Sequence, residues 1–420
     1  PERPNFIIIM ADDLGYGDLS CYDGWIDTPH IDALAREGMK FTDFHASGPV
    51  CSPTRAGLMT GRYQQRAGIP GVVVAAKNNP VHEHGLQQSE VTFAEVLRDA
   101  GYATAIFGKW HLGYYKKYNP IHHGFDEFKG YVSGNVDFFS HVDQAGSQDW
   151  WQQDELKHEE AYVTHLITKH AVDFIARHKD RPFCLYLPHE PPHYPYQGPN
   201  DKAFREVGKS EVRIKQSNED VKRKYREMVV EMDKGVGEVI AALKKHGLDK
   251  NTLVMFFSDN GATGQGSCGP LRGTKGTVWE GGHRVPCVAW WPGKIKAGEV
   301  NDSLSITLDV FPTVVSLAGV EGKIDRRLDG VDLSDVLLKG ATHRDRKLYW
   351  EFNGQQAMRD GAWKLVKNAK GEKGATLYDL KGDIGEKNDV SKANAERFER
   401  MMTEYEAWKK DVMEGATAQP

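Results

Sequence analysis

Four short apolar runs restrict the fold of this chain more than any other feature. Residues 5–10, 102–107, 183–187 and 253–257 contain no charged side chain and are rich in branched and aromatic ones. A strand with no polar face has to be covered on both sides, which is how parallel sheets are built. Helical spacing fills intervals at residues 28–38, 89–100, 161–178 and 221–247, with Gly38, Gly101 and Gly247 at or just past three of the stops. Strand and helix in alternation predict an α/β fold around a mostly parallel central sheet flanked by helices. Residues 39–44 read as a further strand and 287–292 as the one that closes the main sheet. Near residue 340 the pattern changes to short strands at 348–352, 356–359, 363–366 and 377–380, then a helix over 392–412. The expected organisation is a larger domain over 1–340 and a smaller C-terminal α+β subdomain over 341–420, built on an antiparallel sheet.

In an open α/β sheet, ligands bind beyond the carboxyl ends of the strands, so the residues after each run come first. Asp12 and Asp13 follow the first run, Lys109 and His111 the second, and Asp259 and Asn260 the fourth. Carboxylate and amide oxygens suit a hard divalent cation and suit zinc poorly, since zinc takes nitrogen and sulfur. Lys109 and His111 lie two apart and share a side if the extended conformation continues past the strand. The third run opens into a proline-stiffened loop bearing His189 and His193. Elsewhere Cys51 precedes Pro53 and Arg55 in a segment ending at Gly61, a pattern for a short helix with the cysteine at its N-terminus. Free N–H groups, the helix dipole and Arg55 one turn on make that end a place for an oxyanion.

Taken singly, each feature has an ordinary explanation. Cys51 could be a free cysteine in a turn, the aspartates a solvated turn or helix cap, and Lys109 and His111 surface groups. The Gly-rich basic stretch 270–286, holding Lys275, His283 and Arg284, reads equally as a surface loop. The aromatic, irregular segment 114–160, with Asn135 and His141, fits loop packing as well as it fits a sugar ring. His82 and His84 read as surface loop histidines.

Cys51-Ser52-Pro53-Thr54-Arg55, continued by Gly61-Arg62, resembles the C-x-P-x-R signature of the formylglycine-dependent sulfatases. The similarity extends to Gly108-Lys109-Trp110-His111-Leu112-Gly113, to Pro192-His193 with Pro195, Gln197 and Pro199, and to Ser258-Asp259-Asn260-Gly261. It also covers Leu271 to Pro286, with Lys275 and Glu280-Gly281-Gly282. The resemblance implies an alkaline-phosphatase-like fold and hydrolysis of a sulfate ester on a sulfated oligo- or polysaccharide, such as carrageenan or a glycosaminoglycan. It implies that a formylglycine-generating or anaerobic maturation enzyme oxidises Cys51 to formylglycine. It further implies calcium, with magnesium as the alternative, at Asp12, Asp13, Asp259, Asn260 and position 51. Arg55 would hold the nucleophile, Lys109 and Lys275 the sulfate charge, His193 the leaving oxygen, and His111 the proton of the second hydroxyl. Asn135, His141, His283 and Arg284 are the candidate substrate contacts. Two other readings remain at this point: a phosphate or phosphonate monoester hydrolase of the same superfamily, and a non-catalytic glycan-binding relative.

Composition sets the surroundings. A net charge of −5 lacks the basic excess of a nucleic-acid partner, and no apolar run has the length of a membrane span. Five cysteines without C-x-x-C spacing give neither a zinc site nor a disulfide framework, and Cys184 and Cys287 sit in apolar runs as core residues. The numbering starts at Pro1 with no charged-then-apolar leader, so the expectation is a periplasmic or secreted protein whose signal peptide lies outside it.

Overall fold

Strand β1 (Asn5–Ala11) shows what the apolar runs are for: Phe6, Ile8 and Met10 enter one core while Ile7, Ile9 and Ala11 enter another. The computed structural model describes residues 3–209, 216–321, 324 and 326–420. Its main sheet continues with β2 (Met39–Phe41), then β4 (Ala103–Lys109), after a two-residue strand β3 (Phe44–His45) that lies outside it. β5 (Glu127–Tyr131), β6 (Trp151–Gln152), β7 (Glu155–Leu156), β8 (Phe183–Pro188), β9 (Thr252–Ser258), β10 (Cys287–Trp290) and β11 (Glu299–Asn301) complete its ten strands. The order is β11-β2-β10-β9-β1-β8-β4-β5-β6-β7. Its centre, β9-β1-β8-β4-β5, is parallel throughout.

Helices cover both faces. On one, α2 (Cys51–Thr60), α3 (Phe93–Asp99), α7 (Val310–Leu317) and α8 (Ser334–Lys339) meet Phe6, Ile8, Ile106 and Phe257. On the other, α1 (Pro29–Glu37), α4 (Val163–Arg177) and α5 (Asn218–Lys245) meet Ile7, Ile9, Phe107 and Phe256. A fully buried Ile or Phe contributes about 1.5–3 kcal/mol, so a charge at Ile7 or Ile9 would open both the core and the centre of the sheet.

Several expectations need correction. The strand expected over 39–44 is two: β2 pairs with β10 and β11, while β3 pairs with β12 (Ser305–Ile306) in a separate ladder. β10 does not close the sheet. It runs antiparallel between β9 and β2, so the sheet is mixed at this side. The segment 114–160 is not loop throughout: it holds β5 and the β6–β7 hairpin, whose Glu127, Lys129 and Gln152 break any apolar run. The helix read from residue 89 starts at Phe93, where Thr92 and Glu95 form a reciprocal capping box.

The C-terminal strands form as expected: β13 (Lys347–Phe352), β14 (Gln355–Asp360), β15 (Trp363–Lys367) and β16 (Ala375–Asp379) make an antiparallel meander. Helix α9 (Ala395–Met413) covers it through Met401, Tyr405 and Trp408. The same core takes in Tyr63, Val278, Trp279, Leu304 and Leu308, so the meander is packed onto the segments around the cysteine helix. A short helix, α6 (Glu280–His283), stands between the two sheets.

Candidate active site

β9, β1, β8 and β4 are neighbours in the sheet, and their carboxyl ends deliver Asp259-Asn260, Asp12-Asp13, the His193 loop and Lys109 to one place. Backbone bonds lock these ends together: Asp12 N donates to Pro191 O at 3.1 Å and Asp259 N to Ala11 O at 3.0 Å. Ser258 Oγ ties the two acidic turns, accepting from Leu14 N and donating to Asn260 O. Nothing but its place in the Ser-Asp-Asn-Gly segment marked Ser258 in the sequence.

Helix α2 comes in from the side with Cys51 in its first turn and Gly61 in the left-handed conformation at its end, φ 64°. All ten of its residues are buried, and its threonine hydroxyls are satisfied internally: Thr54 Oγ1 donates to Gly48 O and Thr60 Oγ1 to Ala56 O. Gly57 lets it approach closely, since a Cβ there would stand 2.5 Å from Ser47 Oγ and 2.7 Å from the Leu308 side chain. Arg55 reaches from the second turn into the carboxylates, with Nη2 2.9 Å from Asp259 Oδ2 and 3.3 Å from Asp12 Oδ2. Its Nη1 donates to Lys109 O at 3.0 Å.

The Lys109 ammonium pairs directly with Asp12 Oδ2, both side chains being closed to solvent. Lys275 Nζ lies 2.6 Å from Asp13 Oδ1 and 3.6 Å from Cys51 Sγ. Burial opposes charge on Asp12, yet Lys109, His193, Arg55 and Lys275 together hold its carboxyl well below the usual range. Asp259 goes the other way, pushed up to about 7 by burial and by the Asp12 charge beside it. Burial also acts against the Lys275 ammonium, but the carboxylates of Asp13 foremost, then Asp12 and Asp259, oppose it, and its pKa stands well above normal.

Two buried oxygens, Asp12 Oδ1 and Asn260 Oδ1, have no hydrogen-bond partner among the described residues. Orphaned acceptors of this kind are costly unless something electropositive meets them. Ligand atoms of Asp12, Asp13, Cys51 and His193 lie within 4.8 Å of one another. The donor set therefore fits a hard divalent cation that takes oxygen ligands, with His193 Nε2 at its edge, 3.7 Å from Asp13 Oδ2.

His111 ends up beside Lys109 for a reason other than the one read from spacing. The extended conformation stops at Lys109, and His111 adopts a φ of 55°. Its Nε2 contacts Val73 O at 2.9 Å; a carbonyl only accepts, so Nε2 carries the proton and Nδ1 is the free base. Burial first, then the charges of Lys109 and Arg55, lower its pKa well below normal and keep the ring neutral. His193 Nδ1 likewise donates to Tyr194 O, at 2.5 Å, leaving Nε2 to face the site. His189 is buried.

The four candidate substrate contacts do not reach the site. His283 is fully buried, stacked on Trp350 with centroids 3.9 Å apart and flanked by His45 and Lys364. Arg284 pairs with Asp43 and Glu280. Asn135 Oδ1 accepts from Arg205, and His141 lies against Trp150 with Nε2 on Ala161 O. These side chains complete networks inside the protein, so they are structural. The Asn135 segment does border the site, since Gly134 abuts the His111 ring and Val136 N donates to the buried Glu190. His82, too, is buried rather than on the surface, stacked on Tyr114.

A family model described as Sulfatase matches residues 4–320, and one described as N-sulphoglucosamine sulphohydrolase, C-terminal, matches residues 274–410. The chain belongs to the sulfatase family. Within the alkaline phosphatase superfamily, this sulfatase is thereby a sulfuric ester hydrolase. It is similar to N-acetylgalactosamine-6-sulfatase of Mus musculus, 36% identical over 389 residues that span 87% of this chain and 72% of the relative. Arylsulfatase G of Rattus norvegicus is 34% identical over 415 residues, spanning 87% of this chain and 74% of the relative. The crystal structure of Ps i-CgsB in complex with k-i-k-neocarrahexaose matches with a TM-score of 0.88 at 30% identity, covering 100% of this chain and 95% of that one. These relatives do not favour a phosphate or phosphonate hydrolase. Both the parallel core of the sulfatase and its small antiparallel C-terminal sheet agree with the expected fold class.

Proposed function

We propose that this sulfatase removes a sulfate ester from a sulfated sugar, using formylglycine formed at Cys51 and a calcium ion held by Asp12, Asp13, Asp259 and Asn260. The observation that carries the reading is the placement of Cys51 at a buried helix N-terminus, with Lys275 Nζ 3.6 Å away and two orphaned oxygens beside it. The names of the mouse relative and of the carrageenan-oligosaccharide complex support a sulfated sugar, of the carrageenan or glycosaminoglycan kind. A maturation enzyme acting on Cys51 and a periplasmic or secreted location belong to the same proposal.

When present, calcium would polarise the sulfate oxygens and the hydrated aldehyde would supply a hydroxyl nucleophile. The chain's own residues do the rest. Lys109 and Lys275 hold the negative charge that develops on the sulfate oxygens, in a buried setting where such contacts count for more than in water. Arg55 fixes Asp12 and Asp259 and the turn that carries Lys109. His193 offers Nε2 toward the leaving oxygen, its ring held by the Tyr194 carbonyl. His111, neutral and with Nδ1 free, is suited to accept the proton released when sulfate departs.

Initial rates of sulfate and phosphate release from paired aryl esters, with and without chelator, test this together with a mass spectrum of the Cys51 peptide. Sulfate release that needs both the aldehyde and the metal is expected. Faster phosphate release, or full activity with an unmodified thiol, would overturn it.

A further inference from the structure

Beside the Lys275 turn, between it and two turns of the C-terminal meander, lies an open cleft of about 680 Å³. Its wall includes Gly276, Asn353, Gln355, Asn368, Lys370 and Lys373. That size is within the roughly 300–1,000 Å³ of clefts that take small organic ligands. Lys370 and Lys373 are exposed and have no ion-pair partner among the described residues. The one acid in the wall, Glu372, is already paired with Arg272. The cleft is therefore net cationic and amide-rich.

What sets it apart from a basic surface is its register with the reacting centre. Gln355 is buried and bridges the two walls: Nε2 donates to Gly276 O at 2.8 Å, and Oε1 accepts from Lys370 N at 3.0 Å. Gly276 N donates in turn to Pro49 O at 2.8 Å, two residues before Cys51. Lys275 N is held by Ala262 O at 2.9 Å. A continuous chain of bonds thus runs from the Cys51 turn through Gly276 and Gln355 to the Lys370 loop. It fixes the distance between the centre that would hold the reacting sulfate and a second cationic site.

We infer that this cleft is a subsite for a second anionic group, a sulfate or carboxylate on a sugar adjoining the one that reacts. Lys370 and Lys373 would take the anion, and the amides of Asn353 and Asn368 would take ring hydroxyls. The inference rests on the sulfated-sugar reading above and assigns the C-terminal meander a part in selecting oligosaccharides over monosaccharides.

The test uses the full chain carrying Cys51→Ser, so that no ester is cleaved, and titration calorimetry. Its probes are N-acetylgalactosamine 6-sulfate and sulfated tetrasaccharides of carrageenan and of chondroitin. At least one tetrasaccharide is expected to bind about tenfold more tightly than the monosaccharide. Adding Lys370→Ala and Lys373→Ala is expected to remove roughly three- to tenfold of that gap, with Lys→Arg at both positions restoring it. Equal affinity for all probes, or a gap that survives the double alanine variant with an unchanged melting temperature, would overturn the subsite. Failure of the sulfatase reading shows elsewhere, as absence of sulfate release from any of these probes by the matured protein.

Discussion

Lys275 Nζ stands 3.6 Å from Cys51 Sγ. The same ammonium lies 2.6 Å from Asp13 Oδ1, so one cation spans the Cys51 side chain and the cluster of acidic oxygens beside it. Its charge is enforced by the carboxylates around it, since Asp13 foremost, with Asp12 and Asp259, acts against the effect of burial. In the mechanism proposed above, a positive charge held here before any substrate arrives would be preorganised to lower the cost of building charge on a sulfate.

Replacing Lys275 by Met should therefore lower kcat by about 10²–10³-fold, the usual cost of losing one preorganised charge donor. Cys51→Ser should abolish turnover while leaving the melting temperature nearly unchanged, because the hydroxyl fits where the thiol sat but is no substrate for a maturation system that modifies only cysteine. Sulfate release and thermal melts on both variants check this. Full activity of Cys51→Ser would remove formylglycine from the mechanism.

Asp12 Oδ1 and Asn260 Oδ1 lead to a prediction about metal removal. A cation that binds only the folded state adds stability by mass action, about 2.7 kcal/mol at a hundredfold excess over Kd. Calcium added to chelator-treated protein should raise Tm by roughly 3–5 °C. Asn260→Ala should blunt the rise. A Tm indifferent to calcium in the parent protein would mean that the orphaned oxygens are met by something else.

The second buried charge cluster ties α6 to the C-terminal meander. Lys364 Nζ lies 2.9 Å from both Glu280 Oε1 and Glu386 Oε1, with all three side chains fully buried. Glu386 Oε2 accepts from Glu280 N, the first N–H of α6, at 2.7 Å, and Glu280 also pairs with Arg284 and Arg359. Lys364→Met should destabilise the protein by about 3–5 kcal/mol, because it leaves the buried Glu386 carboxyl without its cation and removes one of the three that meet Glu280. Urea unfolding measures it. A loss below about 1 kcal/mol would show that water reaches the cluster.

The parts of the site visible in the sequence are those that strand ends deliver. Asp12, Lys109 and Asp259 each follow a charge-free run, and adjacency of β9, β1, β8 and β4 does the rest. Cys51 and Arg55 were legible because a helix start has local chemistry. His283 and Arg284 were misassigned because their surroundings are tertiary: Lys364, Arg359 and Trp350 arrive from the C-terminal meander, and no local pattern announces that a basic Gly-rich segment will be buried beneath it. Gln355 was missed for the same reason, as one amide in a short strand. β5 was missed because Glu127 and Lys129, only partly buried, interrupt any apolar run over its five residues.

Buried histidines should give this sulfatase an acid limit. His123 has no exposed surface, lies beside Trp110, and has its pKa lowered to about 3, chiefly by burial. In the unfolded chain it would titrate near the usual ~6.5. Above that pH both states are neutral and the group is without effect. Below it the unfolded state binds a proton that the folded state refuses, so stability falls as pH drops from about 6.5 toward 3. Its slope approaches about 1.4 kcal/mol per pH unit for one such group, or about 2 kcal/mol between pH 6.5 and 4.5. His141, lowered to about 4 by burial, acts with the same sign. His123→Phe removes the titration while keeping an aromatic ring against Trp110. Urea unfolding at pH 6.5 and 4.5 should show the variant losing about 2 kcal/mol less than the parent over that interval. Parallel losses in the two proteins would mean that His123 is protonated in the folded state as readily as in the unfolded one.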